Sequence, residues 1–159
     1  MTLNKEYWEN RYENNDAIWD VGYVSTPLKE YIDQLENKEL KILIPGAGNA
    51  YELDYLIEKG FHNVFVIDYA QQPIDTIIKR NNALAKHLIC DDFFNHNETY
   101  DLIIEQTFFC ALQPNLREKY VSKMLDLLSE KGKIAGLFFN FPLTEVGPPF
   151  GGSHEEYVK

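Results

Sequence analysis

Read for its apolar and polar positions, the chain alternates short continuous apolar runs with longer stretches in which apolar residues recur every three or four places. The runs are Ile42-Leu43-Ile44, Val64-Phe65-Val66-Ile67, Lys86–Cys90 around Leu88-Ile89, Tyr100–Glu105 around Leu102-Ile103-Ile104, and Lys133–Phe139. Runs of this length without internal alternation read as strands covered on both faces. Between them, Leu53, Leu56 and Ile57, then Ile74, Ile77 and Ile78, then Tyr120, Val121, Met124, Leu125 and Leu128 lay apolar stripes along helices. Strand and helix alternating this regularly predict an α/β fold: a Rossmann-like, doubly wound, mostly parallel sheet with helices on both faces.

The punctuation fits that reading. Pro27 opens a short amphipathic helix carrying Leu28, Tyr31, Ile32 and Leu35 and ending near Asn37-Lys38. Asn49, with Glu52 three residues on, predicts a capping box for a helix that ends at Lys59-Gly60. Pro73 suits a first helical turn, a further helix runs from Pro114-Asn115 to Lys131-Gly132, and Ser153-His154-Glu155-Glu156 reads as a capped helix start. A proline- and glycine-rich loop, Asn140–Gly152, follows the fifth strand, and a loop of that length is usually functional or disordered. The expectation is one domain over 1–159. Residues 1–38 form an N-terminal aromatic lid and helix, and 39–159 a core that is incomplete at its C-terminal end.

The candidate chemistry gathers where strands end. Pro45-Gly46-Ala47-Gly48-Asn49 breaks the first strand into a turn in which Gly46 and Gly48 permit a sharp bend and a close ligand approach, just before a helix N-terminus that favours an anionic group. The second strand stops on Asp68, about 20 residues past the glycines, where an acid can accept from the two ribose hydroxyls of an adenosine cofactor; alone it would read as a turn residue. The third is followed by Asp91-Asp92-Phe93-Phe94. Here Asp92 can accept from an exocyclic amine while the Phe93 backbone pairs with a base edge, or Asp92 caps a helix and both rings join the core. The fourth strand ends on Glu105. Ahead of all these, Trp8 and Tyr12 lie four apart and face one way on a helix, either docked on the core or forming a lid with Trp19-Asp20.

Charge and cysteines narrow the partners. A net charge of −10, from 25 acidic and 15 basic residues without a long like-charge block, disfavours duplex nucleic acid and anionic membrane and leaves a small molecule. Cys90 and Cys110 show no CxxC spacing and follow no secretory leader, which predicts free thiols in a reducing cytoplasm, and no apolar run is long enough for a bilayer. The four histidines, His62, His87, His96 and His154, have no ligand spacing, so no metal is expected. Nothing basic neighbours Cys110, which reads as a core thiol, and no catalytic residue is assigned.

Together these motifs resemble the thiopurine S-methyltransferase superfamily, and within it the thiol, thiocyanate and halide methyltransferases. The resemblance rests on Trp8 with Tyr12, Ile18-Trp19-Asp20-Val21-Gly22, Ile44-Pro45-Gly46-Ala47-Gly48, Val66-Ile67-Asp68, Asp91-Asp92-Phe93-Phe94, Tyr100–Ile103 through Thr107-Phe108-Phe109-Cys110-Ala111-Leu112, and Gly147-Pro148-Pro149-Phe150. It implies methyl transfer from S-adenosyl-L-methionine to a small soft nucleophile. Trp8, Tyr12 and Trp19 would wrap the methionine end, Gly46 and Gly48 line the turn, Asp68 hold the ribose, Asp92 and Phe93 the adenine, and Glu105 the aminoacyl amine. The acceptor pocket would be formed by Trp19, Phe108, Phe109, Phe141 and Phe150, and the enzyme would act as a monomer. Three positions depart from the pattern: Tyr12 stands for tryptophan, Glu105 for aspartate, and Phe150 for a tyrosine near the substrate. The family's sheet also carries two further C-terminal strands, so the sequence is expected to be a fragment or trimmed. Two rivals are a binding module that holds the cofactor without transferring its methyl group, and a nicotinamide dehydrogenase, whose third fingerprint glycine is replaced here by Tyr51.

Overall fold

The alternation of apolar runs and stripes resolves into helices and strands in strict succession. The structure, a computed structural model, describes residues 3–14 and 16–158. Two helices lead, α1 (Lys5–Glu13) and α2 (Thr26–Asp33), followed by β1 (Ile42–Pro45), α3 (Tyr51–Glu58), β2 (Val64–Asp68) and α4 (Gln71–Arg80). Then come β3 (Leu88–Cys90), β4 (Tyr100–Gln106), α5 (Arg117–Leu127), β5 (Leu128–Leu137) and the short α6 (His154–Tyr157). The five strands form one sheet in the order β3-β2-β1-β4-β5, and each neighbouring pair is parallel. The doubly wound reading therefore holds.

Side-chain alternation divides the core into two layers, because successive strand residues point to opposite faces. Ile42 and Ile44, Val64 and Val66, and Leu102 and Ile104 pack with Leu28 and Ile32 of α2, Leu53 and Leu56 of α3, and Ile74 and Ile77 of α4. The alternate residues of the same strands, Leu43, Ile67 and Ile103, pack with Tyr120, Met124 and Leu127 of α5. A run apolar at every position is what a strand buried on both faces requires.

Three boundaries differ from the sequence reading. First, α3 has no capping box: its N-cap is Ala50, in the left-handed region at φ 48°, and no side chain caps it. The Asn49 amide is drawn instead to Asp20, a partner far along the chain. Second, α5 ends at Leu127, before Lys131-Gly132, because Leu128 already pairs with Tyr100. The register then shifts, so that Lys133 pairs with Leu102, and Ser129 fills the gap by donating to Asp101 Oδ1 at 2.9 Å. Gly132 lies in this shift, where a Cβ would come within 2.9 Å of the Tyr100 carbonyl oxygen. Third, α2 stops at Asp33, and the stretch before β3 winds into a 3-10 helix over Asn82–His87.

The loop after β5 folds back on the domain. Gly152 bridges Phe141 in antiparallel fashion, the Phe150 N–H donates to the Cys110 carbonyl at 2.8 Å, and Arg117 donates to the Gly151 carbonyl and to Glu156, each at 2.6 Å. No helix of the described residues is long and apolar enough to cross a membrane.

The layering gives a stability prediction. Ile103 is fully buried beneath α5, whereas Val121 on the outer side of the same helix is 53% exposed. Ile103→Ala should cost about 2–5 kcal/mol and Val121→Ala under about 0.5 kcal/mol in urea-unfolding free energy; similar values for the two would contradict the two-layer core.

Candidate active site

The strand order reverses between β1 and β4, and in such sheets a crevice opens beyond the carboxyl ends of the two central strands. A cavity of about 1410 Å³ lies there. Single small-ligand pockets run to roughly 300–1,000 Å³, so this one has room for two molecules side by side. Gly46, Gly48, Asp68, Asp92, Phe93 and Phe108 line it from the sheet, and Trp8, Tyr12 and Trp19 line it from the N-terminal arm.

The glycine turn takes its shape from backbone that L-residues rarely adopt. Gly46 has φ 74° and Gly48 φ 48°. A Cβ on Gly46 would sit 2.8 Å from Phe108 Cδ2, whereas at Gly48 the nearest atom would be Trp19 Nε1 at 3.9 Å. Close approach therefore selects glycine at 46, and conformation alone selects it at 48.

Asp68 secures that turn. Its Oδ2 accepts from the Ala47 N–H and its Oδ1 from the Ala70 N–H, each at 2.8 Å. Burial pushes its carboxyl above the usual range, while the surrounding backbone N–H groups oppose the rise. The N–H groups of Gly48 and Tyr69 also support the carboxylate, which lines the cavity. Asp92 also has a local partner, since Oδ1 accepts from the Phe94 N–H at 2.9 Å and caps the 3-10 turn Phe93–Asn95. The capping reading is thus realised, yet Asp92 and Phe93 remain on the cavity wall.

The arm closes the other side. Trp19 meets Trp8 and Tyr12 edge to face, each pair 5.8 Å between centroids, and the Arg11 guanidinium lies 5.1 Å from the Trp19 ring. α1 buries no residue, and it is attached through these rings, its packing against α4 and one acid in the loop that follows. Asp20 accepts from the Gly22 N–H at 2.8 Å, from the Tyr51 hydroxyl at 3.2 Å and from the Asn49 side chain, joining the arm to the start of α3. Burial, together with the carboxylates of Asp68 and Asp20, raises the Tyr12 phenol well above its ordinary value.

Four expected site residues lie elsewhere. Glu105 is fully buried behind the wall, where its Oε1 accepts from the N–H groups of Phe108 and Phe109. Phe109 points into the core against Tyr120, at 5.0 Å between ring centroids. Phe141 lies tilted against Phe139, 5.2 Å between ring centroids. Phe150 turns onto its own loop, its ring against Gly147, and borders a smaller cleft with Pro114 and Val146. In each case local backbone pairing or ring packing claimed the side chain. Gln106, Thr107, Tyr69, Gln72, Phe138, Pro148 and Pro149 line the cavity without having been expected as site residues, although Thr107, Pro148 and Pro149 stand in motifs that carry the resemblance. Thr107 has φ 62°, unusual for a β-branched residue, and no sequence signal announces it. Cys110 reaches the wall too, but burial pushes its thiol up to about 12, so it is not an activated nucleophile. Among the described residues no group of three acids, histidines or cysteines could hold a metal ion.

A parallel sheet of this order, a glycine turn closed by an acid at the end of the next strand, and an aromatic arm over the crevice define a Rossmann-like domain with a ligand site at its switch point. The family model for Thiopurine S-methyltransferase (TPMT) matches residues 3–159, and the chain belongs to that family. It is 28% identical over 158 residues to a probable thiol methyltransferase 2 of Arabidopsis thaliana, covering 96% of this chain and 70% of the relative. To thiocyanate methyltransferase 1 of Brassica oleracea it is 24% identical over 157 residues, covering 94% and 68%. In fold it is similar to the 1,6-didemethyltoxoflavin-N1-methyltransferase of Burkholderia thailandensis, solved with 1,6-didemethyltoxoflavin and S-adenosylhomocysteine. That likeness has a TM-score of 0.75 at 14% identity, over 96% of this chain and 72% of the other.

The arm's attachment can be tested. Asp20→Ala removes an acceptor used by three groups, each bond contributing about 0.5–1.5 kcal/mol. Limited proteolysis should then cut near Arg11 faster and tryptophan emission should shift to the red, while the midpoint of global unfolding moves little. An arm as protected as in the wild type would show that ring packing holds it unaided.

Proposed function

We propose that the protein transfers a methyl group from S-adenosyl-L-methionine to a small soft nucleophile such as a thiol, thiocyanate, a halide or a thiopurine-like sulfur. The observation that carries this reading is the juxtaposition of the glycine turn, Asp68 and the Trp8-Tyr12-Trp19 cluster around one cavity large enough for cofactor and acceptor. When bound, the cofactor supplies an electrophilic sulfonium methyl group for in-line displacement. The cradle suits it: Gly48, without a side chain, leaves room at a helix start, and Asp68 stands beside it on the cavity wall.

The protein's own part is to position and to exclude water. Asp68 accepts from the ribose hydroxyls while keeping its grip on Ala47 and Ala70. Asp92 and the Phe93 backbone take the adenine, and Trp8, Tyr12 and Trp19 cover the methionine end. Trp19 and Phe108 face the acceptor, with Phe138, Pro148 and Pro149 completing an apolar wall. A soft nucleophile is reactive enough that alignment in a water-poor pocket is the main requirement, in keeping with the lack of a nucleophile and base pair among the described residues that line the cavity. The single domain is proposed to act as a cytoplasmic monomer without nucleic-acid or membrane partners, in line with its net charge of −10.

Two experiments test this. Methyl transfer measured with hydrosulfide, an aromatic thiol, thiocyanate and iodide should show turnover on at least one; tight S-adenosylhomocysteine binding without any turnover would favour a non-catalytic module, and NAD binding in its place a dehydrogenase. Asp68→Ala should weaken S-adenosylhomocysteine binding about tenfold or more in calorimetry, from loss of charge-assisted hydrogen bonds worth about 1.5–3 kcal/mol. Asp68→Asn, which keeps an acceptor oxygen for the turn, should fall between, and undiminished affinity in both would remove the ribose role.

A further inference from the structure

Behind the acceptor wall lies a buried carboxylate that the methyl-transfer reading leaves unused. Glu105 ends β4 with no exposed surface. Its Oε1 accepts from the Phe108 N–H at 2.9 Å and the Phe109 N–H at 2.5 Å, while Oε2 is buried without a partner. The turn it holds is strained, because Thr107 sits at φ 62° with its hydroxyl donating to the Gln106 carbonyl at 2.6 Å. The side chain delivered by that turn is Phe108, whose ring abuts Gly46 and lies 5.1 Å from Phe93 between centroids. Phe108 therefore touches the glycine turn and the start of the segment after β3 at once. Whatever fixes its backbone fixes the wall between the two halves of the cavity.

We propose that Glu105 is the positioning residue of this site: its ionised carboxylate locks the Phe108 wall through the two N–H groups, and protonation loosens that lock. The proposal rests on the functional reading above. An ionised acceptor makes hydrogen bonds roughly twice as strong as a neutral one, so the grip depends on charge. The groups that face Glu105 do not fix its state. On its own turn Cys110 is a neutral thiol, and on α5 Tyr120 is a neutral phenol; burial first, and then the charge of Glu105, raises both. Arg117 on α5 spends its guanidinium on Glu156 and the Gly151 carbonyl, and Tyr157 on α6 stays neutral, its hydroxyl donating to the Phe139 carbonyl at 2.6 Å. Burial pushes the Glu105 carboxyl up to about 7 against the pull of the two N–H groups, which brings both protonation states into the neutral range. The lock is present above that pH and is lost as pH falls through it.

The test compares the full chain with Glu105→Gln, which keeps the shape and an acceptor oxygen but has no charge to lose. Amide spectra recorded from roughly pH 5.5 to 8.5 should show the Phe108 and Phe109 N–H signals of the wild type titrating together near 7, and staying flat in the variant. This readout needs neither ligand nor turnover. S-adenosylhomocysteine, whose own groups do not titrate in that window, should bind the wild type several-fold more weakly at the acid end and bind Glu105→Gln with one pH-independent affinity. No binding at any pH would sink the cofactor reading while leaving the amide titration to decide this one. Wild-type amides that fail to titrate overturn the proposal, even if the variant does not fold. So does a variant whose pH profile runs parallel to the wild type, the pattern expected of a carboxylate that matters only for stability.

Discussion

The carboxylate of Asp68 is the point at which fold and site become the same object. Through Ala47 it holds the turn after β1, through Ala70 it holds the approach to α4, and its own carbonyl accepts from the Asp91 N–H at 3.0 Å, beyond the end of β3. The Gly46 N–H adds a bond of 2.8 Å to the Ile67 carbonyl. The rims of three strands are thus laced together around one acid. Leaving such N–H groups buried and unmet would cost about 1–3 kcal/mol each, so the turn and the acid stabilise one another. A ligand at this rim meets a surface already shaped by the needs of the backbone.

The arm is built on a different scale. The sheet packs with fully buried aliphatic side chains, whereas α1 contributes none and rests on α4, on ring edges worth about 0.5–1.5 kcal/mol apiece, and on the bonds to Asp20. Elements held by so few buried contacts open at lower free energy than the core does. A firm rim beneath and a lightly held cover above suit a cavity that must admit a large charged cofactor and then keep water out.

Between them stands the wall after β4, where the chain turns through Thr107 and sets Phe108 against Gly46. Here the fold spends polar groups inside rather than at the surface: Glu105 on the turn, and Arg117 on the loop that carries Pro148 and Pro149. The loop is stitched at Phe150, Gly151 and Gly152, and this explains why Phe141 and Phe150 serve its packing instead of the cavity.

Periodicity alone determined the α/β class, the doubly covered strands β1, β2 and β4 and the inner faces of α2, α3 and α4, because a strand buried on both sides must be apolar throughout and a covering helix must carry a stripe. It overstated the cover at the sheet's edges, where β3 and β5 are only partly buried and Val121 and Leu125 of α5 are exposed. The glycine turn and the shared face of Trp8 and Tyr12 were legible because their geometry is set by neighbours a few residues away, and Asp68 by its place at the end of a strand, although its partner Ala47 lies 21 residues back. What lay beyond reach were pairings across long separations. Asn49 forsakes its helix for Asp20, and α5 yields to the register of Leu128 with Tyr100. Glu105 turns from the cavity for a nearer reason, meeting the N–H groups of Phe108 and Phe109 three and four residues on, in a turn that its neighbours' packing shapes. Which of several available donors a carboxylate meets, and which side of a wall an aromatic ring faces, depend on chain segments brought together by folding. Only the tertiary structure decided them.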